Sequence, residues 1–169
     1  MRKNLLMLCA AVSMLILSGC GKEPSLDNIK EKIVKVETPN GKYTTVNKSS
    51  GAYGRYQIMP KTAKVYTRKL NISHREWKKP KNQEKIFIAL LQDNIVDLKR
   101  HGIEVNAFSV YGAHQQGARG FINIMTKDNL SRKSYMRLRR NLPRKYRNVD
   151  IKDLRKTWIN YWKNRMVEV

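Results

Sequence analysis

Leu26-Asp27-Asn28-Ile29-Lys30-Glu31-Lys32-Ile33-Val34-Lys35-Val36-Glu37 is the stretch from which the rest of the chain is read. Leu26, Ile29, Ile33 and Val36 recur at helical spacing, Ser25 stands where an N-cap would, and Asp27 falls in the first turn. Pro39-Asn40-Gly41 ends the segment. A helix turns about 100° per residue, so Ile33 lies about 20° to one side of Leu26, Glu37 about 20° to the other and Glu31 about 140° away. Glu37 therefore continues the apolar stripe at the last turn, and Glu31 faces water. An acid on a buried face is expensive to ionise unless paired. Desolvation is expected to raise its pKa toward the range useful for a general acid. Periodicity alone leaves a second reading open, in which the helix ends early and Glu37 turns out to solvent.

Outward from this helix, residues 42 to 56 are rich in Tyr, Thr, Ser and Gly without a helical period and read as a loop or short β-hairpin. Pro60 to Leu70 reads as a helix with proline at its start. Residues 82 to 100 are the clearest helix: Phe87, Leu90, Leu91, Asn94, Ile95 and Leu98 make one stripe, and Gly102 sits where a C-terminal cap would. Val105 to His114 is apolar on most sides and predicts a buried helix, followed by a short helix from Gly117 to Met125. Residues 129 to 169 hold 13 Lys plus Arg against three acids, a net +10. Within them Ile151, Leu154, Trp158, Tyr161 and Trp162 keep helical spacing behind Asp150 and Asp153. The stretch from 131 to 149 has little apolar content and is expected to be partly mobile. The predicted fold is one mainly α domain with a cleft.

Three segments together carry a family resemblance. They are Val36-Glu37-Thr38, Gly54-Arg55-Tyr56-Gln57-Ile58-Met59-Pro60, and Val110-Tyr111-Gly112-Ala113-His114-Gln115-Gln116-Gly117. They resemble the lytic transglycosylases with the goose-type or Slt-type lysozyme fold, over roughly residues 26 to 126. In that family a glutamate ends a helix and is usually followed by serine. A Gly-x-x-Gln-Ile-Met-Pro stretch comes next, and an Ala-Tyr-Asn-Ala-Gly-like motif follows on a buried helix. The chain departs from this pattern with Thr38 in place of serine, Gly112 in place of asparagine, and His114 and Gln115 where Gly and Pro are common.

The resemblance implies a lysozyme-like, mainly α fold with a minor β-hairpin or loop element. It also implies cleavage of the β-1,4 bond between N-acetylmuramic acid and N-acetylglucosamine in peptidoglycan. Glu37 would be the single general acid and base and the product a 1,6-anhydro sugar, with no metal or organic cofactor. No acid occurs between Glu37 and Glu76, which suits a one-carboxylate mechanism. By position, Gln57 and Tyr111 are expected to line the cleft beside Glu37 and bind sugar, with Tyr56 as a wall and the Thr38 hydroxyl as a further sugar contact next to the acid. His114 reads as a satisfied core histidine, and Ile58 and Met59 as packing residues.

The first twenty residues bear on location. Arg2 and Lys3 precede an apolar run from Leu5 to Leu17, about the length of a signal-peptide core. Leu17-Ser18-Gly19-Cys20 resembles the lipobox of bacterial lipoproteins. The expected organisation is a signal peptide over 1–19, a tether over 20–25 lipidated at Cys20, a transglycosylase domain over 26–128 and a basic helical extension over 129–169. Such a protein faces the periplasm from a membrane, the outer one in a Gram-negative host.

The whole chain has 169 residues and a formal charge of +22, which predicts attraction to acidic partners such as envelope polymers. Two cysteines and three scattered histidines exclude a disulfide-dense scaffold and a zinc cluster. The competing readings are a lysozyme of the same fold, a non-catalytic wall-binding lipoprotein of a secretion or conjugation machine, and a nucleic-acid binder built on Trp158 and Trp162. The last is set aside, because those tryptophans fall on an apolar stripe and a lipid anchor would separate the chain from nucleic acid.

Overall fold

The first described helix, α1 (Leu26–Glu37), starts on Ser25, whose hydroxyl accepts the Asn28 backbone N–H at 3.2 Å. It stops at Thr38, which precedes a proline and is thereby steered out of helical geometry, with φ −141° and ψ 79°. The computed structural model describes residues 25–169. The signal segment, Cys20 and most of the tether lie outside them.

Helices α2 (Pro60–Lys69) and α3 (Pro80–Arg100) each begin with proline, where the missing N–H would have had no partner anyway. Proline at 80 starts α3 two residues before the apolar spacing does. Helix α4 (Ala107–Gln116) begins two residues later than expected. Asn106 and Ser109 form a reciprocal capping box there, each side chain bonding the other's backbone N–H. Gly117, at φ +76°, breaks the chain before α5 (Ala118–Thr126). Helices α6 (Arg132–Arg140) and α7 (Ile151–Glu168) complete the described chain, with short 3-10 turns at His74–Glu76 and Arg144–Tyr146. Residues 42 to 56 are a loop, pinned by isolated antiparallel bridges between Val46 and Tyr53 and between Tyr53 and Ile58.

The stretch from 131 to 149, expected to be partly mobile, instead folds into α6 and a turn. Its arginines bind backbone carbonyls rather than only water. Arg147 donates to Leu142 and Arg140, Arg139 to Val149 and Arg147, and Arg137 to Gln116 of α4. These charge-assisted bonds do work that a count of apolar residues misses.

Helix α4 is the centre of the core and packs against α1, α3, α5 and α7. Helix α7 is part of that core. Trp158 is fully buried with ring centroids 6.1 Å from Phe108 and 6.3 Å from Phe121, and Trp162 lies 4.9 Å from Tyr111. Lys32 of α1 donates to the carbonyls of Met166 and Val169, which ties the last residues of the sequence to α1.

The glycine at 112 has a packing reason. A Cβ there would lie 2.3 Å from the Phe121 ring, so α4 and α5 approach through the missing side chain. Gly112→Ala should therefore destabilise the protein by about 1–3 kcal/mol in urea titrations, because overpacking outweighs the gain in helix propensity.

Candidate active site

Glu37 is the last residue of α1, and the residues around 54–58 are built to hold the loop beside it. The Thr38 hydroxyl donates to the Arg55 carbonyl. Gly54 adopts φ +83°, and a Cβ at that position would overlap the side-chain oxygen of Gln83 at 1.8 Å. The buried Gln83 amide accepts from the Arg55 N–H at 3.2 Å and donates to the carbonyls of Tyr43 and Lys78 at 3.0 and 2.7 Å. Arg55 reaches back to Glu31 at 2.9 Å and to the Gly41 carbonyl at 3.3 Å. Tyr56 and Tyr43 both donate to the Glu84 carboxylate. Burial would raise Glu84, but these two phenols together with the Lys30 and Arg55 charges outweigh it and hold the carboxyl below its usual range. Gln57 sits at φ +46°, uncommon for a residue with a side chain, and its amide donates to the Gly54 carbonyl at 3.0 Å.

The result is a cleft of about 280 Å³ between α1, the loop, α3 and α4. Glu37, Gln57, Asn94 and His114 supply much of its polar wall, with Ile58, Leu90, Ala113 and Ala118 as apolar surface. Glu37 is its one carboxylate among the described lining residues. Its side chain keeps 22% of its accessible surface. Burial pushes the carboxyl up to about 7, against a hydrogen bond from Tyr111 that favours the charged form. Tyr111 is raised in turn, first by its own burial and then by the Glu37 charge. Gln115 donates to the Tyr111 hydroxyl at 2.9 Å. The His114 Nε2 lies 3.9 Å from Glu37 Oε1, and burial pushes the imidazole down to about 4, so it is neutral near pH 7 and adds no positive charge beside the acid.

The site residues expected from sequence fall into distinct places. Glu37 and Gln57 line the cleft. Tyr111 is buried behind Glu37 and addresses the carboxyl rather than open space. Tyr56 is not a cleft wall: it is fully buried, stacked on Phe87 at 4.1 Å. Thr38 is also buried, and its hydroxyl is used on the Arg55 carbonyl, so neither residue faces a sugar. Met59, expected as packing, is 41% exposed and borders the cleft. Cys20 lies outside the described residues.

Two residues were undervalued. His114 packs edge-on against Phe87 in the core, as expected, but also borders the cleft beside the acid. Asn94 is only 4% exposed, its Nδ2 has no partner in the described structure, and it borders the same cleft. An amide set in an otherwise apolar stripe was the signal available in the sequence.

A glutamate at a helix end, a loop clamped by a Gly-x-x-Gln segment and a tyrosine behind the acid are thus joined in one cleft. A family model described as Transglycosylase SLT domain matches residues 31–136, from within α1 to within α6. The chain belongs to this family. No curated protein and no solved structure matches it. The SLT domain is mainly α and lysozyme-like, and its members are peptidoglycan lytic transglycosylases, so peptidoglycan is the polymer this fold handles. The matched segment contains Glu37, Gln57, Asn94, Tyr111 and His114, while the turn at 144–146 and α7 lie beyond it.

Proposed function

We propose that this SLT domain cleaves the N-acetylmuramic acid–β-1,4–N-acetylglucosamine bond as a lytic transglycosylase, with Glu37 as its single acid and base. The observation that supports this is one half-buried carboxylate, raised to about 7, in a cleft with no second acid among its described lining residues. A retaining hydrolase with two acids needs its second carboxylate about 5 Å from the first. Protonated Glu37 donates to the glycosidic oxygen as the C1–O bond breaks. The substrate's own acetamido oxygen stabilises the anomeric carbon. Glu37, now a carboxylate held by Tyr111, takes the proton of the muramic acid 6-hydroxyl as that oxygen bonds to C1. The 1,6-anhydro ring closes, Glu37 is reprotonated, and no water is consumed. Asn94 and Gln57 offer amides to the sugar's acetamido group, with Leu90 and Ala113 suited to its methyl.

Hydrolysis in the same cleft is the second reading, favoured by the exposed mouth beside Met59, through which water can enter. Mass spectrometry of digested sacculi separates the two: anhydro ends are expected, and reducing ends would make the protein a lysozyme. The proposal includes an envelope location, with Cys20 carrying a lipid anchor. Anionic envelope polymers and a secretion or conjugation machine are the partners such a placement would offer.

The pH profile follows from the acid. The first step needs protonated Glu37, and the titratable neighbours facing it, His114 and Tyr111, stay neutral across the working range. Turnover of soluble glycan should be level below pH 6.5 and fall about tenfold per unit above 7. A rate that climbs through pH 7 would remove Glu37 from the acid's role.

A further inference from the structure

Beyond the segment that the family model matches, the Arg144–Tyr146 turn and α7 enclose a second groove of about 530 Å³, larger than the cleft at Glu37. Thr157, Asn160, Tyr161 and Asn164 line it from one face of α7, at the three- and four-residue spacing that stacks side chains along a helix. The opposite face, carrying Leu154, Trp158, Trp162 and Met166, is buried in the core.

The composition of this groove is unlike its surroundings. Residues 129–169 contain 13 Lys plus Arg, yet the groove is lined by five neutral polar residues, Tyr146, Thr157, Asn160, Tyr161 and Asn164, against two cations and one acid. Two cations belong to its lining, and each already has a partner. Lys145 lies with its ammonium 4.9 Å over the Tyr146 ring, and Arg165 is paired with Glu168 at 3.6 Å. A groove for a phosphate polymer would present more cations than these two and would not pair one of them with an acid. Amides along a half-exposed pair of tyrosines, Tyr146 and Tyr161 with centroids 5.5 Å apart, suit hydroxyls, acetamido groups and the apolar faces of sugar rings.

The groove stands close behind the acid. Tyr161 packs on Trp162 at 4.8 Å, Trp162 packs on Tyr111 at 4.9 Å, and Tyr111 hydrogen-bonds Glu37. We infer that this groove is a second glycan-binding site, which holds an uncut stretch of N-acetylated amino-sugar strand beside the catalytic cleft. The inference rests on the SLT reading of peptidoglycan as the substrate. Lys145 then meets the carboxylates that muramic acid and its peptide stems carry.

The test uses the full chain with Glu37→Gln, so that nothing is cut, and adds Asn160→Ala and Asn164→Ala. Both asparagines are exposed on a helix, alanine favours that helix, and net charge is unchanged, so the fold and the long-range attraction to acidic polymers are kept. Co-sedimentation with purified sacculi should weaken about tenfold, the size expected for two lost hydrogen bonds, and the loss should persist at high salt. Glycan stripped of its peptide stems should compete as well as intact wall material. In the Glu37 parent background, the asparagine pair should slow turnover of long strands and leave a tetrasaccharide unaffected. Unchanged sedimentation, or failure of stripped glycan to compete, would overturn the second site. Because sedimentation needs no chemistry, a parent protein that binds through Asn160 and Asn164 but never cuts would sink the proposed reaction alone.

Discussion

Glu37→Gln is expected to lower anhydro-muropeptide release from sacculi by about 10³-fold or more and, above pH 7, to make the protein more stable than its parent. The two outcomes have one cause. The cleft holds a carboxyl half out of water, which favours its protonated form and costs free energy when it ionises. General acid catalysis commonly contributes 10²- to 10⁴-fold, and in the proposed mechanism one group serves both proton transfers, so an amide at 37 would block both steps. For stability, the carboxyl titrates near 4.5 in the unfolded chain and about 7 in the folded one. Between those values the folded state holds the extra proton, so the parent loses stability as pH rises through this window, and the loss is complete above 7. The full difference corresponds to roughly 3 kcal/mol. Thermal melts of the two proteins should nearly coincide at pH 4 and separate at pH 8, with the glutamine variant higher. A variant that still lyses sacculi near the parental rate would remove Glu37 as the acid, and one that melts lower at pH 8 would mean the carboxylate is satisfied where it stands.

Glu37 was legible in the sequence because helical geometry places it on an apolar stripe two residues before a proline, and both halves of that signal are local. The loop was legible only as a motif. Nothing in Gly54-Arg55-Tyr56-Gln57 says that the glycine makes room for Gln83, 29 positions further on, or that Tyr56 turns inward to Glu84 and Phe87. Those contacts are made by α3, and a spacing rule cannot see across elements. Thr38 was misread for the same reason: its hydroxyl looked free for a sugar until the Arg55 carbonyl was placed against it. Asn94 was visible but passed as a member of a stripe, although an unpaired buried amide is the kind of feature that a bound ligand would satisfy. Gly112 reads as a departure from the family pattern in sequence and as a packing requirement in structure, because the Phe121 ring occupies the space a side chain would need.

Trp158→Ala should cost about 3–5 kcal/mol in denaturant titrations, the range for emptying a buried aromatic site and a large share of the 5–15 kcal/mol by which domains are stable. The size follows from position. The family match ends at residue 136, but the core does not: Trp158 covers Phe108 of α4 and Phe121 of α5, and Trp162 covers Tyr111, which itself touches the acid. A chain ending at 136 would leave those aromatic faces in water, so the cleft at Glu37 depends on a helix that the family match does not include. The indole N–H of Trp158 is buried without a partner, so Trp158→Phe gives up no hydrogen bond and should cost clearly less than alanine. Lys156→Ala, on the exposed side of the same helix, should stay within about 0.5 kcal/mol of the parent. Glycan cleavage by Trp158→Ala should fall with the folded fraction and return on cooling, since the residue acts through Phe108 and Phe121 rather than on substrate. If alanine at 158 left stability unchanged, α7 would not be part of the core, and the tryptophans would again be available to bind something outside the protein.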